Sequence, residues 1–380
     1  MFMASTLVTP LYVLYQQAFG FSDLMLTLVY AAYVVGNLAA LLFFGRVSDQ
    51  IGRRKMAFAA IALAGISAAL FLFADATAWL FWARALSGFA IGLASGAGTA
   101  WIAELSAGED KSRATLIATS ANFMGLALGA VAAGCLAQYA PWPLELTFVV
   151  YLFALAALAV LLWPTPETVV SRVAPRELSL RPRLGVPRSC RRRFVAPAIT
   201  AFGTFSLIGF YAALAPSVLK ERLESANLAV AGALVGGLFL VSALAMILTR
   251  GLGAARAMLG GLLLLLPSLA LLVLANALRS LPLLVVATAL TGVCGALGYR
   301  GSLQVVNQIA PPEQRAELVS SYFVACFIGN SIPVIGVGAL SLAWGPVVAI
   351  PVFAAIIALL AVLALLASRG GDKRLLEAAR

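Results

Sequence analysis

Histidine is absent from this chain of 380 residues. The absence excludes histidine general bases, HExxH zinc sites and haem ligated by histidine. The four cysteines show no CxxC spacing, so neither a metal site nor a disulfide framework is indicated. Charged residues make up only 11% of the chain, whereas 62% is hydrophobic. Soluble domains are about half apolar and about a quarter charged, and this composition therefore indicates an integral membrane protein.

Long apolar runs account for most of the chain. Twelve spans of about 20 residues fit the length, at about 30 residues for each helix and its loop. We place them at 2–20, 24–44, 56–74, 78–104, 114–138, 144–163, 195–219, 227–249, 257–276, 281–306, 317–340 and 344–367. The pattern predicts an all-α polytopic membrane protein. The first run has no polar leader and barely crosses a bilayer, so either the true start lies elsewhere or the chain is a shortened form. Because this run continues as a span, we predict no cleavable signal peptide.

The basic residues lie where they orient the chain in a membrane. The formal charge is +11, but 21 of the 26 Lys and Arg fall in loops that we place inside. This bias follows the positive-inside rule and indicates orientation, not nucleic-acid binding. It predicts a multi-pass protein of the cell membrane with both termini cytoplasmic.

A short charged turn, Gly45–Lys55, separates the second and third predicted spans. Its four cations place it on the cytoplasmic side, and Gly45 and Gly52 permit a tight turn. Asp49 lies among the cations near helix ends, where it can pair with an arginine or interact with a helix N-terminus. Such contacts can form in one conformation and break in another. The alternative is that the basic turn is only a topology signal.

The pattern Gly45-x-x-x-Asp49-x-x-Gly52-Arg53-Arg54 resembles the loop signature between the second and third helices of major facilitator superfamily transporters. The family often has Arg or Lys directly after the Asp, where this chain has a glutamine, so one expected charge contact is weakened. The resemblance implies that these five residues form a conformational gate, which closes the cytoplasmic side while the substrate site faces outward.

The two halves of the chain look like weak copies of each other. The loop Ala107–Arg113 recurs as Ala310–Arg315, and Phe123-Met124-Gly125 recurs as Phe327-Ile328-Gly329. Repeats of this kind place a substrate site at the interface of the halves. Together with the resemblance, they predict the superfamily fold of twelve transmembrane helices in two pseudo-symmetric six-helix bundles. We expect bundles at 1–163 and 195–367, a basic cytoplasmic linker at 164–194 and a cytoplasmic tail at 368–380.

Three charged residues in or near spans are candidates for coupling: Arg84, Glu104 and Arg300. Arg84 precedes glycines at every fourth position, which let another helix approach closely. A similar motif in the family is associated with proton coupling in antiporters. Arg84 either faces a partner or water, or extends to the outer interface. Arg300 lies well inside a span with no loop near it, and either pairs within the bundle or meets an anionic substrate. Glu104 is the carboxylate best placed for burial, and it either titrates or pairs with a loop arginine.

The fifth span carries Gly125-x-x-x-Gly129-Ala130-x-x-Ala133-Gly134. This is similar to the glycine-rich signature of the superfamily's drug–proton antiporters, with Ala130 in place of Pro and Ala133 in place of the first of two glycines. The partial match favours export modestly. Helix packing explains the glycines equally well.

The resemblance implies a cavity lined by spans 1, 2, 4 and 5 and their partners 7, 8, 10 and 11. The polar and aromatic side chains predicted to line it are Tyr12, Tyr15, Gln16, Tyr30, Tyr33, Asn37, Asn122, Tyr211, Tyr322 and Asn330. Each is either a contact between helices or a substrate contact. Their number favours an amphiphilic organic solute.

These features favour a monomeric secondary transporter that works by alternating access, with no cofactor or metal, and not an enzyme. We expect it to export a small organic compound in exchange for protons, although no Asp or Glu lies at the centre of any span and proton coupling rests on the resemblance. The rival is a facilitator or symporter that imports a sugar or organic acid. A membrane enzyme would need a nucleophile–base pair or an acidic metal-binding motif. A scaffold or receptor on the same fold is a third class.

Overall fold

In a computed structural model, the chain is described at residues 1–45, 47–105, 111–169, 182, 184–222 and 227–371. Helices joined by short connections make up these residues, and no strand occurs among them. The helices are α1 (Met3–Leu7), α2 (Tyr12–Phe19), α3 (Asp23–Phe44), α4 (Val47–Ile51), α5 (Arg53–Leu72), α6 (Thr77–Leu105), α7 (Lys111–Tyr139), α8 (Leu146–Leu162), α9 (Arg191–Arg222), α10 (Leu228–Leu248), α11 (Ala254–Ala277), α12 (Leu281–Ile309), α13 (Arg315–Trp344) and α14 (Pro346–Gly371).

Ten helices in the described ranges are long and apolar enough to cross a membrane: α3, α5, α6, α7 and α9 to α14. The apolar helix α8 is shorter, at 17 residues. Each of the predicted spans from the second to the twelfth contains one continuous helix, and the all-α polytopic fold predicted from the sequence is confirmed.

The first predicted span is not one continuous helix. It forms α1 and α2, with the turn 8–11 between them. Pro10 explains the break, because proline has no N–H to donate to the carbonyl four residues earlier and its ring clashes with that carbonyl. The amide of Thr9 instead donates to the carbonyl of Thr6 at 3.1 Å, which is the tighter spacing of a turn.

One compact unit comprises Met1–Phe21, Leu28–Pro182 and Leu228–Gly236. Within it α5 packs along α6, and α1 packs on α7. The hydroxyl of Thr6 donates to the carbonyl of Leu126 at 2.7 Å, which ties α1 to α7. This unit carries the charged turn and Arg84.

The glycines of the fifth predicted span lie in α7 and serve close packing within this unit. A Cβ added to Gly129 would lie 2.5 Å from the carbonyl oxygen of Met3. A Cβ added to Gly134 would lie 2.9 Å from the Cα of Gly232, in the first residues of α10. Packing therefore accounts for these glycines, which give no separate support for export.

The other compact unit comprises Ser22–Thr27, Arg183–Asn227 and Gly237–Arg380. Its main packing pairs are α11 with α12 and α9 with α13. Glycines again allow backbones to approach, since a Cβ on Gly329 of α13 would lie 2.8 Å from the Cα of Phe202 of α9. A buried cluster around Tyr322 and Cys326 forms one part of the core.

The predicted division into two bundles, a linker and a tail stays a prediction. Helix α9 begins at Arg191, inside the range predicted as linker. Several residues used in the sequence argument lie outside the described residues: Arg46, the loop 106–110, positions 170–181 and 183 of the linker, and positions 372–380 of the tail.

Candidate functional site

The charged turn joins the ends of three helices in the first unit. Helix α3 ends at Phe44, α4 carries Asp49, and α5 begins at Arg53. Between α4 and α5, Gly52 has φ 117° and ψ 144°. Residues with a Cβ rarely adopt this backbone conformation, so a glycine is needed where the chain turns into α5.

Arg53 is the centre of the polar contacts in this turn. Its Nη2 donates to Glu104 Oε1 at 2.8 Å, and its Nε donates to the same oxygen at 3.2 Å. On the other side of the guanidinium, Nη1 donates to Ser48 Oγ at 2.6 Å and pairs with the carboxylate of Asp49. We call Asp49, Arg53 and Glu104 the latch. It connects α4 and α5 to the end of α6.

The latch is suited to breaking and re-forming. The side chain of Arg53 is 9% exposed, whereas those of Asp49 and Glu104 are 55% and 37% exposed. Ion pairs with solvated partners contribute about 0–1 kcal/mol each. The expectation that Glu104 is buried is wrong, because α6 ends one residue later and the carboxylate turns towards Arg53. Its pairing is the alternative that the sequence left open.

The remaining residues of the predicted gate have different surroundings. The guanidinium of Arg54 lies over the rings of Phe58 and Trp163, at 5.8 and 5.5 Å from their centres. Gly45 follows the end of α3, and a Cβ there would lie 2.7 Å from the carbonyl oxygen of Leu41. Gly45 therefore shapes the turn, while Arg54 stacks on aromatic side chains.

Glu167 is a site residue that the sequence reasoning missed. Its carboxylate accepts from the backbone amides of Arg53 at 2.8 Å and Arg54 at 3.2 Å, at the N-terminus of α5. It also accepts from the amides of Thr168 and Val169. A helix N-terminus favours an anion because its first amides have no partner in the helix.

The same carboxylate explains part of the requirement at Gly52. A Cβ there would lie 2.9 Å from Cδ of Glu167. Partial burial raises the pKa of Glu167, but the four backbone amides outweigh it, and the net shift of the pKa is downward. The signal in the sequence was an acid directly after the sixth span, in Pro164-Thr165-Pro166-Glu167. The hydroxyl of Thr168 donates to Glu104, which connects this segment to the latch.

A second polar site lies inside the first unit, around Arg84 of α6. Arg84 is fully buried, with 0% of its surface exposed, so it does not extend to an interface. Its guanidinium carbon lies 5.2, 5.4 and 5.7 Å from the ring centres of Tyr33, Tyr12 and Tyr30. Nη1 donates to the carbonyl of Ser5 at 3.0 Å. We call these five residues the Arg84 cage.

Local structure explains how the cage forms. The break at Pro10 divides the first span, and the backbone of α1 presents the carbonyl of Ser5 to Arg84. Helix α3 comes close to α6 because a Cβ on Gly88 would lie 2.8 Å from the carbonyl carbon of Tyr33. Close crossing at this glycine brings the ring of Tyr33 to Arg84. Part of the small-residue stripe therefore positions the cage.

The cage surrounds the charge of Arg84 but does not supply acceptors for all of its donors. Three ring faces lie against the guanidinium, and such contacts favour a buried cation. A buried donor without an acceptor costs about 1–3 kcal/mol. Arg84 has two such atoms, Nε and Nη2, which have no hydrogen-bond partner in the described part of the chain. Aromatic faces do not replace directed acceptors for both.

Other predicted cavity residues of this unit lie near or apart from the cage. Asn37 is buried, and its Nδ2 donates to the hydroxyl of Tyr33 at 3.3 Å. The hydroxyl of Tyr15 donates to the carbonyl of Phe71 at 3.4 Å, which makes it a contact between α2 and α5. Gln16 and Asn122 are half-buried; the cage does not include them.

Arg300 of the second unit differs from the sequence expectation. Its Nη2 donates to the carbonyl of Leu252 at 3.3 Å, in the connection between α10 and α11. The expectation that no loop is near is therefore wrong. Helix α12 is 29 residues long, and Arg300 lies far enough along it to reach the neighbouring connection. Arg300 is 9% exposed.

The predicted cavity residues of the second unit are buried between its helices. The hydroxyl of Tyr322 lies 2.7 Å from Ser302 Oγ, linking α13 to α12. Asn330 packs on α9, where a Cβ on Gly209 would lie 2.7 Å from its Oδ1. Tyr211 is fully buried in α9. These contacts are between helices, and their part in substrate binding stays a prediction.

The family follows from comparison of the sequence. A family model described as Major Facilitator Superfamily matches residues 1–252. The chain belongs to this superfamily. Among curated proteins, none matches the sequence.

Solved structures share the fold over nearly the whole chain. A bacterial homologue of the human lysosomal transporter Spinster, inward-facing and occupied, has TM-score 0.75 at 16% identity, with 97% of this chain and 94% of that chain covered. The unoccupied form has TM-score 0.67 at the same identity and coverage. The human organic anion transporter MFSD10 (TETRAN) has TM-score 0.64 at 17% identity, with 96% of each chain covered. At these identities the likeness establishes the fold alone.

Family and fold agree on what the molecule does in broad terms. The chain is a multi-pass membrane protein and a secondary transporter that works by alternating access, not an enzyme. In the described part of the first unit, the latch and the Arg84 cage are the candidate sites for such a cycle.

Proposed function

We propose that this transporter exports a small organic solute in exchange for protons. The observation that carries the proposal is the Arg84 cage, an enclosed cation surrounded by three tyrosine rings inside the helix bundle. Such a site is costly for stability, which is the usual mark of a functional group in a membrane span. Its aromatic lining suits an amphiphilic organic molecule.

In this proposal the latch is the cytoplasmic gate. Asp49 and Glu104 hold Arg53 from two sides, so that α4, α5 and the end of α6 move together. Loss of either pair releases one side of Arg53. Contacts worth about 0–1 kcal/mol each bias a two-state equilibrium without locking it.

Proton coupling is assigned to the latch because of where the carboxylates lie. No Asp or Glu among the described residues is buried. Of the latch carboxylates, Glu104 lies at the end of α6 and pairs with Arg53 of α5. Protonation of Glu104 would remove its charge and weaken this pair. The gate would then open more readily when protons are abundant on that side.

A flux experiment tests the proposal. A compound that raises the melting temperature of the purified protein is chosen from a panel, and its movement is measured in proteoliposomes with and without an imposed pH gradient. We expect flux that is faster with the gradient, directed against proton flow, and weakly gradient-dependent in Glu104→Gln. Flux that ignores the gradient contradicts antiport.

Import of a sugar or organic acid is the rival within transport. The organic anion transporter MFSD10 shares the fold, but at 17% identity its substrate does not transfer to this chain. Uptake driven by an inward proton gradient in the same proteoliposomes would support the rival and contradict export.

We also propose a monomer in the cell membrane with both termini on the cytoplasmic side. The cations of the predicted inner loops support this orientation. Accessibility of tags at the two ends in intact cells checks the orientation, and the mass of the detergent-solubilised particle checks the monomer.

A further inference from the structure

Two hydrogen-bond donors of Arg84, Nε and Nη2, form a fork that finds no acceptor in the described part of the chain. Nε and Nη2 lie on one edge of the planar guanidinium, and both are buried without a partner in the described residues. The third nitrogen, Nη1, is occupied by the carbonyl of Ser5. An arginine edge with two parallel N–H donors matches the two oxygens of one carboxylate.

Arg53 shows what this edge does when a carboxylate is available. Its Nε and Nη2, the same two atoms, donate to Glu104 Oε1 at 3.2 and 2.8 Å. Arg300 is an intermediate case, because its Nη2 is bonded to the carbonyl of Leu252 and only Nε has no partner in the described ranges. Of the three buried arginines, Arg84 has the one fork that is wholly vacant in the described chain.

The described residues include no buried acid that could fill the fork. Every buried charged residue in the described ranges is an arginine, and none is an acid. A carboxylate on the fork could also accept from the hydroxyl of Tyr12, whose ring lies against the same guanidinium. The group that would complete the fork therefore carries a negative charge and accepts hydrogen bonds.

We propose that the Arg84 cage binds the carboxylate of an organic acid, held by Nε and Nη2 of Arg84. The proposal rests on the proposed function, because it names the substrate class of the same site. The three rings supply apolar and aromatic surface for the organic part of the acid. The fork is enclosed in this conformation, so the acid enters and leaves in another conformation of the alternating-access cycle.

Thermal stabilisation by small acids tests the site. Melting of the purified, detergent-solubilised protein is followed in acetate and benzoate, and in acetamide and benzamide as neutral analogues of the same shape. A ligand that binds only the folded protein raises its melting temperature as the concentration passes Kd. We expect at least one acid to raise the melting temperature where its amide does not. Equal shifts from acid and amide would overturn the proposal.

Two variants locate the effect. Arg84→Lys keeps a positive charge but removes the fork, and it should weaken the apparent affinity for the acid by about tenfold or more. Arg250→Lys, at an exposed arginine in the connection between α10 and α11, is the control and should leave the affinity within about twofold of the parent. Unchanged affinity in Arg84→Lys would overturn the site. If Arg84→Lys does not fold, the comparison of acid and amide on the unmodified chain still decides the proposal.

Two further measurements separate the alternatives. Inorganic phosphate in the same assay tests a tetrahedral anion or a lipid phosphate, and stabilisation by phosphate alone would overturn the assignment to a carboxylate. Flux in proteoliposomes separates the site from the proposed function. Transport of a solute without stabilisation by either acid refutes the cage and leaves the transporter proposal intact. Stabilisation by an acid through Arg84, with no flux of any stabilising compound, supports the cage and refutes the proposed function.

Discussion

Glu167 and Gly52 should be energetically coupled at the N-terminus of α5. The carboxylate of Glu167 accepts from the amides of Arg53 and Arg54, and Gly52 leaves the space in which that carboxylate lies. Replacing Glu167 by alanine removes the cap. Replacing Gly52 by alanine displaces the carboxylate, because the new Cβ would lie 2.9 Å from its Cδ. Both substitutions therefore remove the same interaction.

The size of the coupling follows from these two effects. Loss of an N-terminal cap costs about 0.5–2 kcal/mol, typically about 1. A residue with a Cβ held at φ 117° at position 52 costs about 1–3 kcal/mol more in backbone strain. Gly52→Ala introduces the strain and loses the cap, whereas Glu167→Ala loses only the cap. The double variant introduces the strain and loses the cap, but the cap is lost only once. The double variant should therefore be about 1 kcal/mol more stable than the sum of the single effects.

Apparent melting temperatures of the four proteins in detergent, at one fixed heating rate, measure this coupling. At an unfolding entropy of about 2.1 cal/mol/K per residue, a chain of 380 residues shifts its melting temperature by roughly 1 °C for each kcal/mol, so the double variant should melt about 1 °C above the value that additivity predicts. Gly96→Ala is the matched control, since a Cβ there meets nothing within 4 Å; it should be neutral or slightly stabilising and additive with Glu167→Ala. Strict additivity of Gly52→Ala and Glu167→Ala would refute the placement of the carboxylate beside Gly52.

Three other changes test the sites from different directions. Asp49→Asn removes the negative charge that pairs with Arg53. Transport should slow severalfold, while the free energy of unfolding falls by no more than about 1 kcal/mol; unchanged turnover contradicts the gate. Gly88→Ala places a Cβ against the backbone of Tyr33 and should cost about 1–3 kcal/mol, whereas Gly96→Ala should not; equal melting of the two variants argues against the close crossing. The lowered pKa of Glu167 means that its stabilisation is present above the ordinary glutamate pKa of about 4.3 and is lost as the pH falls through the lower folded value. The difference in melting between the parent and Glu167→Gln should therefore shrink on acidification, and a difference that grows would show the opposite sign of the shift.

The sequence predicts some contacts of the candidate site and not others. Asp49 and Arg53 are four residues apart within one short turn, so their pairing could be expected from the sequence. The acceptor of the other side of Arg53, Glu104, is 51 residues away in the chain, and the carboxylate that caps α5 is 114 residues away. Hydropathy and loop charge do not show which side chains far apart in the chain will be in contact, so Glu167 was missed.

Arg84 and Arg300 show the same limit. The sequence placed Arg84 and Arg300 inside apolar runs, and left open whether each had a partner. Their surroundings differ because of packing: Gly88 brings α3 against α6 and surrounds Arg84 with rings, whereas the length of α12 carries Arg300 to the carbonyl of Leu252. Neither outcome follows from the residues next to them in the chain.

The sequence by itself determined that this protein lies in a membrane, where its helices are and which family it belongs to. These depend on the composition and period of local runs of about 20 apolar residues. Only the tertiary structure decided which charges are paired. Ion pairs and cages require groups from helices far apart in the chain to reach within a few ångströms, and that depends on which small residues let the backbones come together.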